Sequence, residues 1–179
     1  RRKARGKEDP ARFGERLGST EKPRPEGPLY WLHAASVGES LSLLPLIDKL
    51  LADRPNCHLL MTTGTVTSAK LMQERLPERA FHQYIPVDRP SYVRRFLDHW
   101  RPDISLWAES DFWPNMITEA QSRNIPMVLV NGRISANSFA GWQRARSLIR
   151  ALLQGFTLCL GQSQEDVDRL VLLGSRHTK

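Results

Sequence analysis

Short apolar runs alternate along this chain with longer segments in which apolar residues recur at helical spacing. The short runs predict strands at residues 29–35, 57–63, 81–87, 103–109, 127–131 and 157–161. The longer segments predict helices at residues 37–53, 66–75, 91–99, 111–123, 143–153 and 164–172. Because strand and helix alternate regularly, the predicted fold class is α/β, with a doubly wound parallel sheet covered by helices on both faces.

Two prolines fall inside the predicted helices. Pro45 lies within the first helical segment, where it removes a backbone hydrogen bond, so we expect a kink there. The first turn of that helix, which carries Glu39, should therefore point in a different direction from the remainder. Pro114 fits the first turn of a helix capped by Ser110, because the backbone N–H groups are unpaired there in any case.

The length and composition are those of one soluble globular domain, with 179 residues of which 40% are hydrophobic and 25% charged. No apolar run reaches the roughly 18 residues of a membrane span, and no signal-peptide pattern is present. Cys57 and Cys159 lie in apolar runs, so we expect reduced core thiols in a cytoplasmic protein. The histidines lack zinc spacing, so the sequence predicts no metal and no other cofactor.

Positive charge is concentrated near the N-terminus. The net charge is +7, and residues 1–25 hold nine Lys or Arg against four Asp or Glu. The basic run at residues 1–7 has three interpretations: a solvated tail, which is the simplest, a nucleic-acid arm, or a segment against anionic lipid. Because no aromatic residues are interleaved with these charges, we expect no nucleic-acid partner. The Pro- and Gly-rich residues 19–28 predict a linker, so the chain divides into 1–28 and a domain at 29–179.

The first predicted strand runs into His33-Ala-Ala-Ser-Val-Gly-Glu39, which places a carboxylate in the first turn of the next helix. Ligands of open α/β sheets bind at this end of the strands. One interpretation is structural, since Ser36 as N-cap and Glu39 three residues later form a capping box. The other is functional, because Gly38 leaves the backbone bare and lets a ligand approach the carboxylate.

The second predicted strand ends in Thr62-Thr63-Gly64-Thr65, a hydroxyl-rich turn that opens a helix. Backbone N–H groups at such a turn suit an anion such as a phosphate or carboxylate. The turn matches no specific phosphate-binding motif, and a threonine that simply caps the helix is the simpler explanation.

Charged groups follow the fourth and fifth predicted strands. Ser110 and Asp111 are explained as a helix cap and a first-turn acid. Glu109 ends an apolar run, where a carboxylate is costly unless it is paired or faces solvent. It is therefore either half of an ion pair with Arg133, which follows a neighbouring strand, or part of a site. Arg133, close to Asn131, could also bind a carboxylate or phosphate of a ligand.

Glu39 and Glu109 are thus expected at one strand edge, together with hydroxyl groups, an arginine and bare glycine backbone. One carboxylate as general base and a second polar group that stabilises developing charge are sufficient for transfer to a sugar hydroxyl.

At these residues the chain resembles the N-terminal domain of 3-deoxy-D-manno-octulosonic acid (Kdo) transferases, the inverting glycosyltransferases of lipopolysaccharide biosynthesis. The resemblance is nearly full length, and the ordered set of motifs is specific. The motifs are Gly6-Lys-Glu-Asp-Pro10, Arg16-Leu-Gly18, His33-Ala-Ala-Ser-Val-Gly-Glu39, Thr62-Thr-Gly-Thr65, Tyr84-Ile-Pro-Val-Asp-Arg-Pro90, Trp113-Pro-Asn115, Asn131-Gly-Arg-Ile-Ser135 and Gln162-Ser163. Such enzymes have a GT-B architecture of two Rossmann-like domains, with the acceptor bound by the first and CMP-Kdo mainly by the second.

By this resemblance, Glu39 corresponds to the general base that deprotonates the acceptor hydroxyl, and Glu109 to a residue that supports the transition state. The reaction would transfer Kdo from CMP-Kdo to a lipid A precursor at the cytoplasmic face of the bacterial inner membrane. We expect the substrate-binding residues to be Ser36, Gly38, Thr63, Gly64, Ser110, Asn131 and Arg133.

The chain also departs from the family pattern. The family usually begins with a hydrophobic membrane-anchoring helix, so residues 1–7 resemble the basic segment behind it, which favours contact with an anionic membrane surface. The nucleotide-binding C-terminal domain is not in this sequence, so the chain alone is expected to be inactive. Asp111-Phe112 stands where Glu-Leu is common, a change that we expect to be tolerated.

Two alternatives remain beside the Kdo transferase. One is a GT-B enzyme that uses a different nucleotide sugar. The other is a non-catalytic Rossmann-like module that binds anions or a protein partner.

Overall fold

The computed structural model describes residues 8–179. Six strands lie in this part of the chain: β1 Leu29–Ala34, β2 His58–Thr63, β3 Ala80–Tyr84, β4 Ile104–Ala108, β5 Met127–Gly132 and β6 Leu158–Gly161. The helices there are α1 Phe13–Arg16, α2 Val37–Ser42, α3 Leu44–Asp53, α4 Val66–Arg75, α5 Pro90–Trp100, α6 Pro114–Ser122, α7 Ala136–Arg144, α8 Arg146–Gln154 and α9 Gln164–Leu173.

The strands form one parallel sheet in the order β3-β2-β1-β4-β5-β6. This is the strand order of a Rossmann-like doubly wound sheet, in which the chain reverses its direction of winding between β1 and β4. All six predicted strands are present, so the predicted α/β fold class is confirmed. The reversal point is where ligands bind in folds of this type.

The core consists of two apolar clusters, one on each face of the sheet. Side chains of β1 alternate between them: Leu29 and Trp31 belong to one cluster, whereas Leu32 and Ala34 belong to the other. Every second residue of a strand faces the same side, so both faces of β1 are covered by helices.

The predicted helix at residues 37–53 is interrupted at Leu43, between α2 and α3. Pro45 lies in the first turn of α3, where its missing N–H costs no intrahelical bond. The expected discontinuity between the turn that carries Glu39 and the remainder is therefore present.

Helices α1, α7 and α8 also differ from the sequence prediction. The segment predicted as one helix at residues 143–153 belongs to two helices, α7 and α8, which meet at Ala145. Ser135 begins α7, since its side chain accepts a hydrogen bond from the backbone N–H of Ser138. The short helix α1 was not predicted at all.

Residues 8–28 pack against the outer strand β3. Glu15 Oε2 accepts a hydrogen bond of 2.7 Å from the backbone N–H of Tyr84. Arg12 donates a bond of 3.0 Å to the carbonyl oxygen of His82. Side chains of this segment therefore bond to the free side of β3.

The predicted linker at residues 19–28 is packed against the domain rather than separate from it. Arg24 Nε donates to the carbonyl oxygen of Trp100 at 2.8 Å, and the carbonyl oxygen of Lys22 lies 2.8 Å from His99 Nε2. The basic run at residues 1–7 lies outside the described residues.

The outer strand at the opposite side of the sheet, β6, is joined by residues 177–179. Cys159 N–H donates to the carbonyl oxygen of His177 at 2.8 Å, and Lys179 N–H donates to the carbonyl oxygen of Cys159 at 3.0 Å. Cys159 and Cys57 are both buried free thiols, as predicted. Between residues 8 and 179, no helix is long and apolar enough to span a membrane.

Candidate active site

An open cavity of about 320 Å³ lies at the carboxyl ends of the central strands. Its walls come from the loops after β1, β4 and β5 and from the first turns of α2 and α7. The residues that line it are Ala35, Glu39, Glu109, Ser110, Asp111, Arg133 and Ser138. The fold therefore brings together four of the predicted site residues: Glu39, Glu109, Ser110 and Arg133.

Glu39 is oriented by the backbone at the start of α2. The backbone N–H of Ala35 donates a hydrogen bond of 2.7 Å to Glu39 Oε2. Ser36 Oγ in turn accepts a bond of 3.2 Å from the N–H of Glu39. The capping box predicted from sequence is therefore formed, with the carboxylate reaching one residue beyond the N-cap.

The capping contact does not withdraw Glu39 from the cavity, because the side chain is half-buried and lines it. Gly38 is exposed, and a Cβ placed on it would meet nothing within 4 Å. The structural and functional interpretations of this motif are therefore compatible with each other.

Glu109 sits in a backbone conformation that is unusual for its residue type. Its φ of 53° is in the left-handed region, and Asn131 at the end of the neighbouring strand has the same φ. Glu109 N–H bonds to the carbonyl oxygen of Val130 at 3.0 Å, which continues the β4–β5 ladder by one step. Non-glycine residues held at positive φ occur often at functional sites, where the surrounding structure offsets the strain.

The electrostatic surroundings of Glu109 connect it to Glu39. Burial raises the pKa of Glu109, and the negative charge of Glu39 raises it further, while the positive charge of Arg133 lowers it in part. Among the ion pairs of residues 8–179 there is none between Glu109 and Arg133. The two carboxylates are thus close enough to interact, and the close ion pair considered from sequence is not formed.

The roles expected for Ser110 and Asp111 at a helix terminus are wrong, because α6 begins only at Pro114. Ser110 Oγ is instead buried without a hydrogen-bond partner in the described structure, and the residue lines the cavity. A buried hydroxyl group without a partner is costly, so this atom is suited to bond a polar group of a ligand.

The N-terminus of α6 is capped by Asp88, which follows β3. Its carboxylate accepts hydrogen bonds from the backbone N–H groups of Asn115 at 3.1 Å and Met116 at 2.8 Å. The amide group of Asn115 donates back to the carbonyl oxygen of Asp88 at 2.9 Å. Two of the sequence motifs are therefore joined to each other by hydrogen bonds that stabilise the end of a helix.

Asp111 is held by two tryptophans and faces a histidine. Trp113 Nε1 donates to Asp111 Oδ2 at 2.7 Å, and Trp107 Nε1 donates to the carbonyl oxygen of Asp111 at 2.7 Å. Burial alone would raise the pKa of Asp111, but the approach of His33 and the bond from Trp113 outweigh it and hold the pKa below its usual value. In the sequence, His33 stands out only as a candidate metal ligand. The pairing of β1 with β4 at His33 and Trp107 brings it close to Asp111, which sequence spacing does not indicate.

The turn after β2 lies outside the set of residues that line the cavity. The Thr63 side chain is buried, and its Oγ1 lies 2.9 Å from His82 Nε2. Thr65 caps α4, since its Oγ1 accepts a bond of 3.1 Å from Ser68 N–H. Of the other predicted site residues, Ser36, Gly38, Gly64 and Asn131 also do not line the cavity.

The loop that carries Arg133 is fixed by α9. Asp166 Oδ1 accepts a hydrogen bond of 2.8 Å from Ile134 N–H, and Arg169 donates to the carbonyl oxygen of Ile134 at 2.6 Å. Ser163, the N-cap of α9, donates its hydroxyl proton to Asp166 Oδ2 at 2.6 Å. Both backbone groups of Ile134, the residue after Arg133, are therefore hydrogen-bonded to side chains of α9, which fixes the loop that carries Arg133.

Across residues 8–179, no three His, Cys, Asp or Glu side chains are grouped as the ligands of a metal ion would be. The cavity offers two interacting carboxylates, a hydroxyl group without a partner and a guanidinium group. Such a set can accept a proton from a hydroxyl group of a ligand and can bond its polar substituents.

The strand order and the place of the cavity define a Rossmann-like α/β domain with a ligand site at the carboxyl ends of its central strands. A solved structure with the same fold is the UDP-GlcNAc 2-epimerase from Neisseria meningitidis bound to UDP-GlcNAc, with a TM-score of 0.57. The similarity covers 82% of this chain and 43% of the epimerase, at 10% sequence identity, so it concerns the fold alone.

Sequence comparison identifies the particular family. Residues 11–179 match the model of the 3-deoxy-D-manno-octulosonic-acid transferase (kdotransferase) family, and the chain belongs to that family. The 3-deoxy-D-manno-octulosonic acid transferase of Rickettsia bellii is 35% identical over 97% of this chain and 41% of the relative. The proteins of the same name from Haemophilus influenzae and Bordetella pertussis are 31% and 35% identical over 91% and 93% of this chain. The chain spans about two fifths of the length of these relatives.

Proposed function

We propose that the natural protein that carries this chain transfers Kdo from CMP-Kdo to a sugar hydroxyl of a lipid A precursor, in lipopolysaccharide biosynthesis. This domain binds the acceptor. The observation that carries the proposal is the placement of Glu39 and Glu109 in one cavity at the centre of the sheet, close enough for the charge of one to raise the pKa of the other. Family membership supports the choice of donor and acceptor.

Glu39 is the general base of the proposed reaction. The bond from Ala35 N–H occupies Oε2, and no described residue bonds to Oε1, so that oxygen is available for the acceptor hydroxyl. Attack on the anomeric carbon of the donor requires the hydroxyl to lose its proton as the new bond forms. A positioned carboxylate that takes this proton contributes about 10²–10⁴-fold in rate.

Glu109 supports the transition state from the opposite wall of the cavity. Burial and the charge of Glu39 raise its pKa, so it keeps its proton to a higher pH than a free carboxyl group, and the protonated form can donate a hydrogen bond where negative charge develops. Ser110 and Arg133 line the same cavity and bond the polar substituents of the acceptor sugar. Gly38 leaves room for the sugar beside Glu39, because its exposed backbone carries no side chain.

Two partners of the proposed reaction bind mainly elsewhere. CMP-Kdo is held chiefly by parts of the enzyme outside this chain, as the resemblance implies. The basic run at residues 1–7 contacts the anionic surface of the cytoplasmic face of the bacterial inner membrane, where the acceptor lipid resides.

The test is Kdo transfer from CMP-Kdo to a lipid A precursor by the natural full-length protein, with Glu39→Gln beside it. Glutamine keeps an oxygen that can accept the Ala35 bond but is not basic, so it separates the proton transfer from the capping contact. We expect transfer by the parent, and a folded variant that binds the acceptor but turns over roughly 10²–10⁴-fold more slowly. A variant that retains the parental rate would reduce Glu39 to a capping residue.

The same assay distinguishes the alternatives. A parent that is inactive with CMP-Kdo but active with another nucleotide sugar would replace the proposed donor. A parent that binds acceptor and transfers no sugar from any nucleotide donor would indicate a non-catalytic module.

A further inference from the structure

His33 has a buried nitrogen atom for which the described structure provides no hydrogen-bond partner. The side chain is fully buried, and Nε2 faces Asp111 Oδ2 at 3.8 Å, which is longer than a hydrogen bond. Asp111 lies two residues after Glu109 and lines the cavity. The imidazole of His33 on the central strand therefore faces the turn that contains Glu109 and Asp111.

The opposite side of the imidazole is fixed by Thr62. His33 Nδ1 lies 3.0 Å from Thr62 Oγ1, which also accepts a hydrogen bond of 2.8 Å from Trp31 Nε1. The ring packs against Trp107 with 4.4 Å between ring centroids. These contacts hold the imidazole ring with Nε2 on the side of Asp111.

The charge of Asp111 decides whether His33 Nε2 carries a hydrogen or a lone pair. The lowered pKa of Asp111 keeps its carboxylate ionised, and a carboxylate can only accept hydrogen bonds. An N–H group at Nε2 is therefore favoured over a lone pair. Nδ1 of that tautomer accepts a hydrogen bond, so the Thr62 hydroxyl, which also lies 3.3 Å from the carbonyl oxygen of Leu32, would turn its proton toward Nδ1. His33 thus attracts Asp111 through a hydrogen that points at its carboxylate.

The turn between β4 and α6 depends on Asp111. Both its carboxylate and its carbonyl oxygen are bonded by tryptophan side chains, whereas Glu109 in the same turn holds a left-handed conformation. A residue at positive φ returns to a relaxed conformation unless its neighbours are fixed. The two tryptophan bonds to Asp111 fix the residues that follow Glu109 in this turn.

We propose that His33 is a positioning residue, which holds Asp111 and through it the strained turn that aims Glu109 into the cavity. The effect on turnover rests on the proposed function above, whereas the effect on the turn does not. His33 touches neither substrate nor the reacting atoms and acts through Asp111.

The experiment compares two substitutions of His33 in the natural full-length protein. His33→Asn keeps a polar group near the position of Nδ1 and removes Nε2, while His33→Gln reaches the position of Nε2 and loses the group near Nδ1. We expect His33→Asn to lower kcat roughly 10- to 100-fold with little change in KM for the acceptor. His33→Gln should recover most of the loss, because its amide can still donate to Asp111.

A double-mutant cycle with Asp111→Asn tests whether the pair acts as one unit. Asn at position 111 keeps an oxygen for Trp113 but removes the negative charge. The double variant His33→Asn with Asp111→Asn should be no slower than the slower single variant. Losses that multiply, or equal losses in His33→Asn and His33→Gln, would overturn the proposal.

A readout independent of turnover is the pair of indole N–H resonances of Trp107 and Trp113, which both donate to Asp111. His33→Asn should shift both resonances, and His33→Gln should shift them less. If the parent transfers no Kdo, the proposed function fails while these resonances still decide the positioning role. Unchanged indole resonances in His33→Asn would overturn it.

Discussion

The backbone N–H of Ala35 and the carboxylate of Glu39 are joined by a hydrogen bond of 2.7 Å across the first turn of α2. Ala35 directly follows the central strand β1, so the bond sets the position of the carboxylate relative to the sheet itself. One side chain therefore stabilises the helix terminus and lines the cavity. Substitutions at this position must separate the two effects.

We expect Glu39→Ala to lower the free energy of unfolding by about 0.5–2 kcal/mol, because it removes half of the capping box. Glu39→Gln should stay close to the parent, since its amide oxygen can accept the Ala35 bond. Urea unfolding followed by circular dichroism measures both. Ser36→Ala, which removes the other half of the box, should resemble Glu39→Ala in stability. Equal stabilities of Glu39→Ala and Glu39→Gln would mean that the Ala35 bond contributes nothing to folding.

Glu109 should make stability depend on pH. Its raised pKa means that, above about 4.5, the folded protein retains a proton that the unfolded chain has already lost. Stability contributed at this position therefore decreases as the pH rises from that value through the raised pKa. Glu109→Gln removes the effect, so the stability of the variant should improve relative to the parent over that interval.

Unfolding titrations of parent and Glu109→Gln between acid and neutral pH check this dependence. Glu39→Gln provides the matched control. Removal of the Glu39 charge should lower the pKa of Glu109, so the pH range over which Glu109 affects stability should become narrower. A constant difference between parent and Glu109→Gln at all pH values would contradict the raised pKa.

Asp166 should have the opposite pH dependence. Burial would raise the pKa of Asp166, but bonds from Ser163 and Ile134 and the charges of Arg169 and Arg133 outweigh it and lower the pKa. Its stabilising contribution is therefore complete above about 3.8 and is lost as the pH falls through the lowered pKa.

Asp166→Ala leaves the buried N–H of Ile134 without its partner and should cost about 1–3 kcal/mol at neutral pH. That cost should shrink in acid. Asp166→Asn is the control, since it keeps an oxygen for Ile134 and carries no titrating group. Chemical denaturation at neutral and acid pH measures both variants, and an Ala variant with the stability of the parent would show that α9 does not fix the Arg133 loop.

Asp88 should contribute to the stability of the fold and not to the reaction, because its bonds are to the backbone at the start of α6. Asp88→Ala removes the acceptor for two backbone N–H groups at the start of α6, and we expect a loss of about 1–3 kcal/mol. Asp88→Asn keeps one acceptor oxygen and should lose less. Thermal unfolding compares the two. The prediction fails if the alanine variant melts with the parent.

The local sequence pattern was sufficient to predict the strands of the sheet, but it did not predict where α6 begins. The central strands β1 and β2 are largely apolar runs that are buried on both faces, and such runs stand out without knowledge of the fold. Helix α4 was predicted with its correct bounds because Thr65, its cap, is the residue next to it. The cap of α6 is Asp88, more than twenty residues earlier in the chain, so the sequence near Ser110 suggested a terminus in the wrong place.

Among the site residues, too, some features could be predicted from the local sequence and others depend on contacts between distant residues. Glu109 could be found because it is an acidic residue directly after an apolar strand, and Glu39 because it lies in the first turn of the helix that follows another. Parallel strands bring their carboxyl ends together, so both were expected at one edge. The left-handed conformation of Glu109 and the contact of His33 with Asp111 could not be found, since each depends on a neighbouring strand. Helix α7 was missed in part because none of its residues is fully buried, and only Phe139 and Trp142 pack against the core.

The two outer strands of the sheet are closed by different parts of the chain. Along β3, the side chains of Glu15 and Arg12 occupy backbone groups that a further strand would use, and along β6 the backbone of residues 177–179 does so. An open strand edge is a template on which other chains can polymerise. Removal of the segment before β1 would therefore leave the outer backbone groups of β3 open to pairing with a strand of another molecule.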